Sequence, residues 1–153
     1  MNNHKDYLDD FKVGESFVTP GRTITETDVT NFAGVSGDFY PLHTDITYAE
    51  KTVFGQRIAH GMLVLSAGLA LAFRLGPHVM LPQSFIAFYG IDKIRFTAPV
   101  FFNDTIHMQS SVSDIKLKDD KMGTLTYDSV LKNQKQDVVI SFSWSLACGR
   151  KPA

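Results

Sequence analysis

Cysteine is almost absent from this sequence: of 153 residues only Cys148 carries a thiol. A lone cysteine cannot close an internal disulfide, and it supplies no paired-thiol zinc motif. Excess charge is missing too. Fifteen Lys and Arg against sixteen Asp and Glu leave a net charge of −1, so no overall field favours nucleic acid or an anionic membrane surface. Long apolar runs are also lacking. The longest uncharged run of the first half, Gly61 to Phe73, falls short of the roughly 18 apolar residues a membrane helix needs. There is no internal repeat, no low-complexity tract and no Gly/Ser/Pro-rich linker. The start, "MNNHKDYLDD", is polar and acidic, unlike a secretory signal or a transit peptide. These absences leave an expectation of one globular domain over residues 1–153, in the cytoplasm.

What is present divides the chain into two halves. In the second half, "VVISFSWSL" alternates Ile140, Phe142, Trp144 and Leu146 with Ser141, Ser143 and Ser145, the period-2 pattern of a sheet with one wet face. "TLTYDSVL" sets Leu125, Tyr127 and Leu131 on one side, and "TIHMQSSV" does the same with Ile106, Met108 and Val112. Short polar breaks between them suit hairpins, so this half reads as an antiparallel meander. "SFIAFYGIDKIRF" is also strand-like, but its phase slips between Ile91 and Ile94. That slip predicts a bulge at Gly90 or Asp92.

The first half is helical. "TETDVTNFAGVSG" has a Thr/Asp-rich start and a Gly stop, with Phe32 and Val35 expected on the inner side. "TYAEKT" offers one further turn. "HGMLVLSAGLALAFRLGP" is the long helix, apolar nearly all round and closed by Arg74, Gly76 and Pro77. Such a helix has to be surrounded. One enclosed helix plus long antiparallel strands implies an α+β domain with the sheet curved around the helix.

Between the first two helices lies "SGDFYPLHTD", Ser36 to Asp45. Pro41 biases Tyr40 toward an extended backbone, so any meeting of Asp38 with His43 is arranged by the loop. The stretch reads either as an elaborate turn or as a carboxylate and an imidazole poised for proton transfer. His60-Gly61 opens the long helix, so the Gly61 N–H is one of its unpaired first-turn donors. That donor can face a developing oxyanion; equally, the missing side chain can serve only close packing. His60 itself reads as a packing or capping residue.

These residues carry a resemblance. Phe32, Val35, Ser36, Gly37, Asp38, Pro41, Leu42, His43 and Ala49, followed by "FGQRIAHGML" and "IRFTAPVFFNDTI", resemble the signature of the MaoC-like dehydratases. That family comprises (R)-specific enoyl-CoA hydratases, also called hydratase 2, which have the hot-dog fold. The resemblance runs from about Thr25 to the C-terminus and implies reversible hydration of trans-2-enoyl-CoA to (R)-3-hydroxyacyl-CoA. It implies catalytic roles for Asp38 and His43, which hold and activate water, and for the Gly61 N–H as oxyanion donor. No metal or cofactor is implied; the substrate arrives as a CoA thioester. The fold also implies a homodimer or a dimer of dimers.

One departure lies inside the motif. The family carries Asn before the proline, and here stands Tyr40, which either fills loop space or reshapes the pocket. Asn103 replaces a frequent Gly, a mild change because Asn tolerates positive φ. Tyr40, Leu65 and Ser66 are the candidate substrate-binding residues, and Arg57, Lys93 and Arg95 the candidates for CoA phosphates. The nearest rival reading is a hot-dog acyl-CoA thioesterase, whose resemblance would place Asp or Glu on or near the central helix; Gly61 to Phe73 holds neither. A non-catalytic acyl-CoA-binding domain is the second rival. It has no need of both Asp38 and His43.

Overall fold

The computed structural model describes residues 4–152. After a 3-10 turn at Leu8–Asp10, two short strands, β1 (Ser16–Val18) and β2 (Arg22–Thr23), precede four helices. These are α1 (Glu26–Ser36), α2 (Pro41–Thr44), α3 (Ile46–Ala49) and α4 (Gly61–Ala70). Four long strands complete the chain: β3 (Phe85–Phe96), β4 (Thr105–Leu117), β5 (Met122–Lys132) and β6 (Val138–Gly149). The sheet runs β1-β4-β5-β6-β3, with β2 also paired to β4, and every pairing is antiparallel. It is the α+β, hot-dog arrangement that the resemblance implies. No helix among the described residues is long and apolar enough to cross a membrane.

The alternating patterns of β4, β5 and β6 set the core. Register pairs Val112 with Tyr127 and Tyr127 with Trp144, and sets Leu125 beside Leu146; these inward side chains are almost fully buried. Each such aliphatic contributes about 2 kcal/mol by burial. Tyr127 stacks on Trp144 with ring centres 4.8 Å apart, and its hydroxyl donates to the Met80 carbonyl. A polar seam crosses this face: Trp144 Nε1–H donates to Ser129 Oγ, which also bonds the Ser110 hydroxyl. The central helix sits directly on the sheet. A Cβ on Gly68 would overlap the methyl groups of Leu131, so only glycine permits that approach.

Three expectations change. The central helix is not enclosed on every side, since Met62 and Phe73 are 53% and 67% exposed. Beyond Ala70 it tightens into a 3-10 segment, Leu71–Leu75, and stops at Gly76, whose φ of 115° favours glycine. Val35 is 88% exposed rather than inward; α1 instead buries Val29 and Ala33, with Phe32 half-buried. The expected bulge in β3 is real but repeated, with register shifts at Phe85/Ala87, Phe88/Gly90 and Asp92/Arg95. Lys93 sits in the last of these at φ 55°. The shifts bring Ile91 and Ile94, three residues apart, to the same core.

Candidate active site

Helix α1 delivers the first functional group. Thr25 caps its start, accepting from the Asp28 N–H while the Asp28 carboxylate accepts from the Thr25 N–H. Gly37 ends it in the left-handed region at φ 77°, and Asp38 follows at once. The Asp38 Oδ1 accepts from the Tyr40 N–H at 3.1 Å, a turn closed by the side chain. Its other oxygen remains free of that turn.

Pro41 is the first residue of the four-residue helix α2, a position where proline's missing N–H costs nothing. This helix carries His43. The His43 Nδ1 lies 2.8 Å from the Ile58 carbonyl. A carbonyl only accepts, so Nδ1 carries the hydrogen and the neutral ring keeps its lone pair on Nε2.

His60 completes the group from the start of α4. Its ring is buried between Phe32, with centres 5.0 Å apart, and His43, stacked at 3.9 Å. Its Nε2 donates to the Asp38 backbone carbonyl at 2.9 Å. Asp38, His43 and His60 each present one polar side-chain atom within 4.8 Å of the others. One water can span such a gap with two hydrogen bonds of about 2.8 Å each. The trio is a poor metal cage: the two rings stack on each other with their planes 30° apart, and carbonyls already occupy His43 Nδ1 and His60 Nε2.

An apolar cavity of about 470 Å3 opens beside these residues, walled by His43, Gly61, Met62 and Phe96 among others. The Gly61 N–H, at the first position of α4, bonds no acceptor among the described residues. The cavity is therefore walled mostly by apolar side chains, with an imidazole and an open N–H among them. A wider trough of about 670 Å3 crosses the outer face of the sheet. It is lined by Ser, Gln and Val residues with Phe17, Phe142, Asp128 and Lys93, and it has no histidine.

The structure thus sets Asp38 beside His43, and His43 with Gly61 on the wall of a cavity that Asp38 itself does not line. The other candidates stand differently. Leu65 is buried in the core, and Ser66 faces outward with its hydroxyl on the Met62 carbonyl; neither lines the cavity. Tyr40 meets the His43 ring edge-on with centres 6.4 Å apart and sets its hydroxyl 3.0 Å from that of Tyr48 in α3, outside the cavity lining. Arg57 pairs with Glu26 at 2.6 Å and lies over the Phe102 ring, while Arg95 bonds its neighbour's carbonyl at Ile94. Asn103 adopts φ 72°, as its tolerance of positive φ predicts. The sequence reading took His60 for a packing or capping residue and passed over the wall residues Met62 and Phe96. A histidine next to the helix-opening glycine was the only local signal for the first, and nothing marked the other two.

The chain is similar to known proteins in sequence and fold. A model of the MaoC like domain matches residues 10–133. The (R)-specific enoyl-CoA hydratase of Rhodospirillum rubrum is 40% identical over 109 residues, 71% of this chain and 71% of that protein. The protein named MaoC of Klebsiella aerogenes is 38% identical over 103 residues, which span 67% of this chain but only 29% of the relative. Among solved structures, a monoamine oxidase regulatory protein from Archaeoglobus superposes with a TM-score of 0.90 at 38% identity, covering 97% of each chain. A Mycobacterium tuberculosis protein with a double hot-dog fold shares the fold at a TM-score of 0.81 and 18% identity, over 97% of this chain and 45% of that one. Since the family model spans most of its length, residues 10–133, this chain belongs to the MaoC-like domain family.

Proposed function

We propose that this chain hydrates trans-2-enoyl-CoA reversibly to (R)-3-hydroxyacyl-CoA. The observation that carries the reading is His43, which stands within reach of the Asp38 carboxylate and shares an apolar cavity wall with the open Gly61 N–H. The name of the Rhodospirillum rubrum relative supports it.

In this mechanism water lies between the Asp38 carboxylate and His43 Nε2. The pair removes one proton as the water oxygen bonds to C3 of the enoyl thioester. The C2–C3 π electrons move toward the thioester oxygen, where the Gly61 N–H and the positive end of α4 stabilise the growing charge. The enolate-like state collapses when the pair returns a proton to C2. In reverse, the same groups expel water from the 3-hydroxyacyl thioester. The His43 tether to Ile58 keeps the reactive nitrogen facing inward, and the apolar wall admits the acyl chain.

A homodimer, or a dimer of dimers, belongs to the same proposal. Strand β3 ends the sheet with one side unpaired, and its Phe85, Ile86, Phe88, Tyr89 and Phe96 are exposed. A second copy laid along that edge covers them. Sedimentation analysis should give twice the chain mass or a higher even multiple.

The activity test mixes the protein with short and medium trans-2-enoyl-CoAs and follows loss of enoyl absorbance. Chiral analysis of the product should give the R form. Asp38→Asn and His43→Gln should each slow turnover by about a hundredfold or more. Wild-type turnover in both variants would sink the mechanism, and release of free CoA without hydration would make the protein a thioesterase.

A further inference from the structure

We propose that His60 is a positioning residue that holds Asp38, His43 and Gly61 in register. The inference rests on the hydratase reading for its chemistry, but its geometry stands without it. His60 reaches all three groups by a different link. It precedes Gly61 by one peptide bond, donates from Nε2 to the Asp38 carbonyl at 2.9 Å, and stacks on the His43 ring at 3.9 Å.

Packing alone does not account for this imidazole. The side chain is 2% exposed, and its Nδ1 is buried with no hydrogen-bond partner among the described residues. An unmet buried polar atom carries a desolvation penalty that a phenyl ring in the same slot would not. Capping does not account for it either. His60 stands at the N-cap of α4, yet its side chain makes no cap bond; it turns away from the helix to the Asp38 carbonyl. That bond fixes the proton on Nε2, so Nδ1 is the bare acceptor. The titratable groups facing the ring are His43, stacked on it, and Asp38, whose Oδ2 is 4.0 Å from Nε2. From α1 the facing side chain is the uncharged Phe32.

The Asp38 loop is otherwise held locally, by Ser36 to the Asp38 N–H and by the Asp38 carboxylate to Tyr40. His60 supplies a tie from that loop to the central helix. Loss of the tie displaces the carboxylate relative to the imidazole while leaving the cavity walls in place. A displacement of this kind lowers kcat and spares KM, because binding and alignment depend on different contacts.

The test compares His60→Phe, which keeps a ring between Phe32 and His43 but removes the donor, with His60→Gln, which restores an N–H at the Nε2 position. Turnover on the best enoyl-CoA, thermal midpoint and amide exchange at Tyr40 are measured for both. His60→Phe should lower kcat about thirtyfold with KM within about twofold, and His60→Gln should recover to within about fivefold of the parent. Without substrate, Tyr40 amide exchange should speed up about tenfold in His60→Phe alone, and nitrogen NMR of the parent should show the Nε2–H tautomer. Unchanged kcat and unchanged Tyr40 exchange in His60→Phe would overturn the proposal and leave the hydratase reading intact. If the parent hydrates none of the thioesters while the exchange and tautomer results hold, the hydratase reading fails and the positioning role stands. Should His60→Phe not fold, His60→Gln decides: a thirtyfold loss of kcat despite the restored donor would overturn it.

Discussion

The Phe96 ring lies so close to Gly61 that a Cβ built on the glycine would stand 2.7 Å from the ring's Cε1. One glycine thus serves two purposes, bringing β3 against the start of α4 and leaving its own N–H open to the cavity.

Gly61→Ala separates them. The new methyl should crowd Phe96 and destabilise the fold by about 1–3 kcal/mol, read as a lower urea midpoint, and should obstruct the thioester oxygen. Adding Phe96→Leu should restore stability without restoring turnover. If the double variant regains full activity, the methyl does not obstruct the Gly61 N–H, and the glycine is required there for packing against Phe96 alone.

Ser129 is the centre of the polar seam, bonded to both Trp144 Nε1–H and the Ser110 hydroxyl. Ser129→Ala strands two buried groups at once and should cost about 1–3 kcal/mol in denaturant unfolding. Ser110→Ala should cost less, since Ser129 still accepts from the indole.

Thr25→Ala removes the cap of α1 and should cost about 1 kcal/mol. Burial pushes the Asp28 carboxyl up, but the Thr25 N–H and hydroxyl, together with Arg22, outweigh it and hold the group below its ordinary 3.8. A depressed folded value means the contribution is present above 3.8 and is lost as pH falls through the lower folded value. Asp28→Asn should therefore be less stable than the parent at pH 7, with the gap closing under strong acid. A gap that persists unchanged below pH 2 would contradict the assignment.

Cys148 is fully buried, and burial pushes its thiol up to about 12 from 9.0. A raised folded value means its contribution is complete below 9.0 and is lost as pH climbs toward about 12. A neutral maleimide at pH 8 should leave the native protein unmodified and label it fully in urea. Rapid labelling of the folded chain would refute the burial.

Much of this was legible in the residues. Leu125, Tyr127, Leu131, Ile106, Met108 and Val112 all point inward as their alternation requires, because a strand's period of two leaves little choice once one face is dry. The slip in β3 was visible as a parity change, but not its threefold recurrence, which depends on how β6 runs beside it. Val35 was misread because the inner side of a short helix is set by where its chain enters, not by apolar residues alone. Ser145 looked solvent-facing yet is 8% exposed, bonded across to Thr126. Asp38, His43 and Gly61 were marked as candidates by a family pattern. His60 was not, because a ring stacked on a residue 17 positions earlier leaves no periodic trace.

Strand β3 has a further consequence for the life of the chain in a crowded solution. Its shifts leave paired runs no longer than the three residues Gly90 to Asp92, whereas fibril-forming segments need about six or seven in regular register. The aromatic edge is thus broken into lengths too short to template indiscriminate growth, and only a surface with matching irregularities can extend along it. Exposed phenyl rings that would threaten solubility on a straight strand are carried here at low risk.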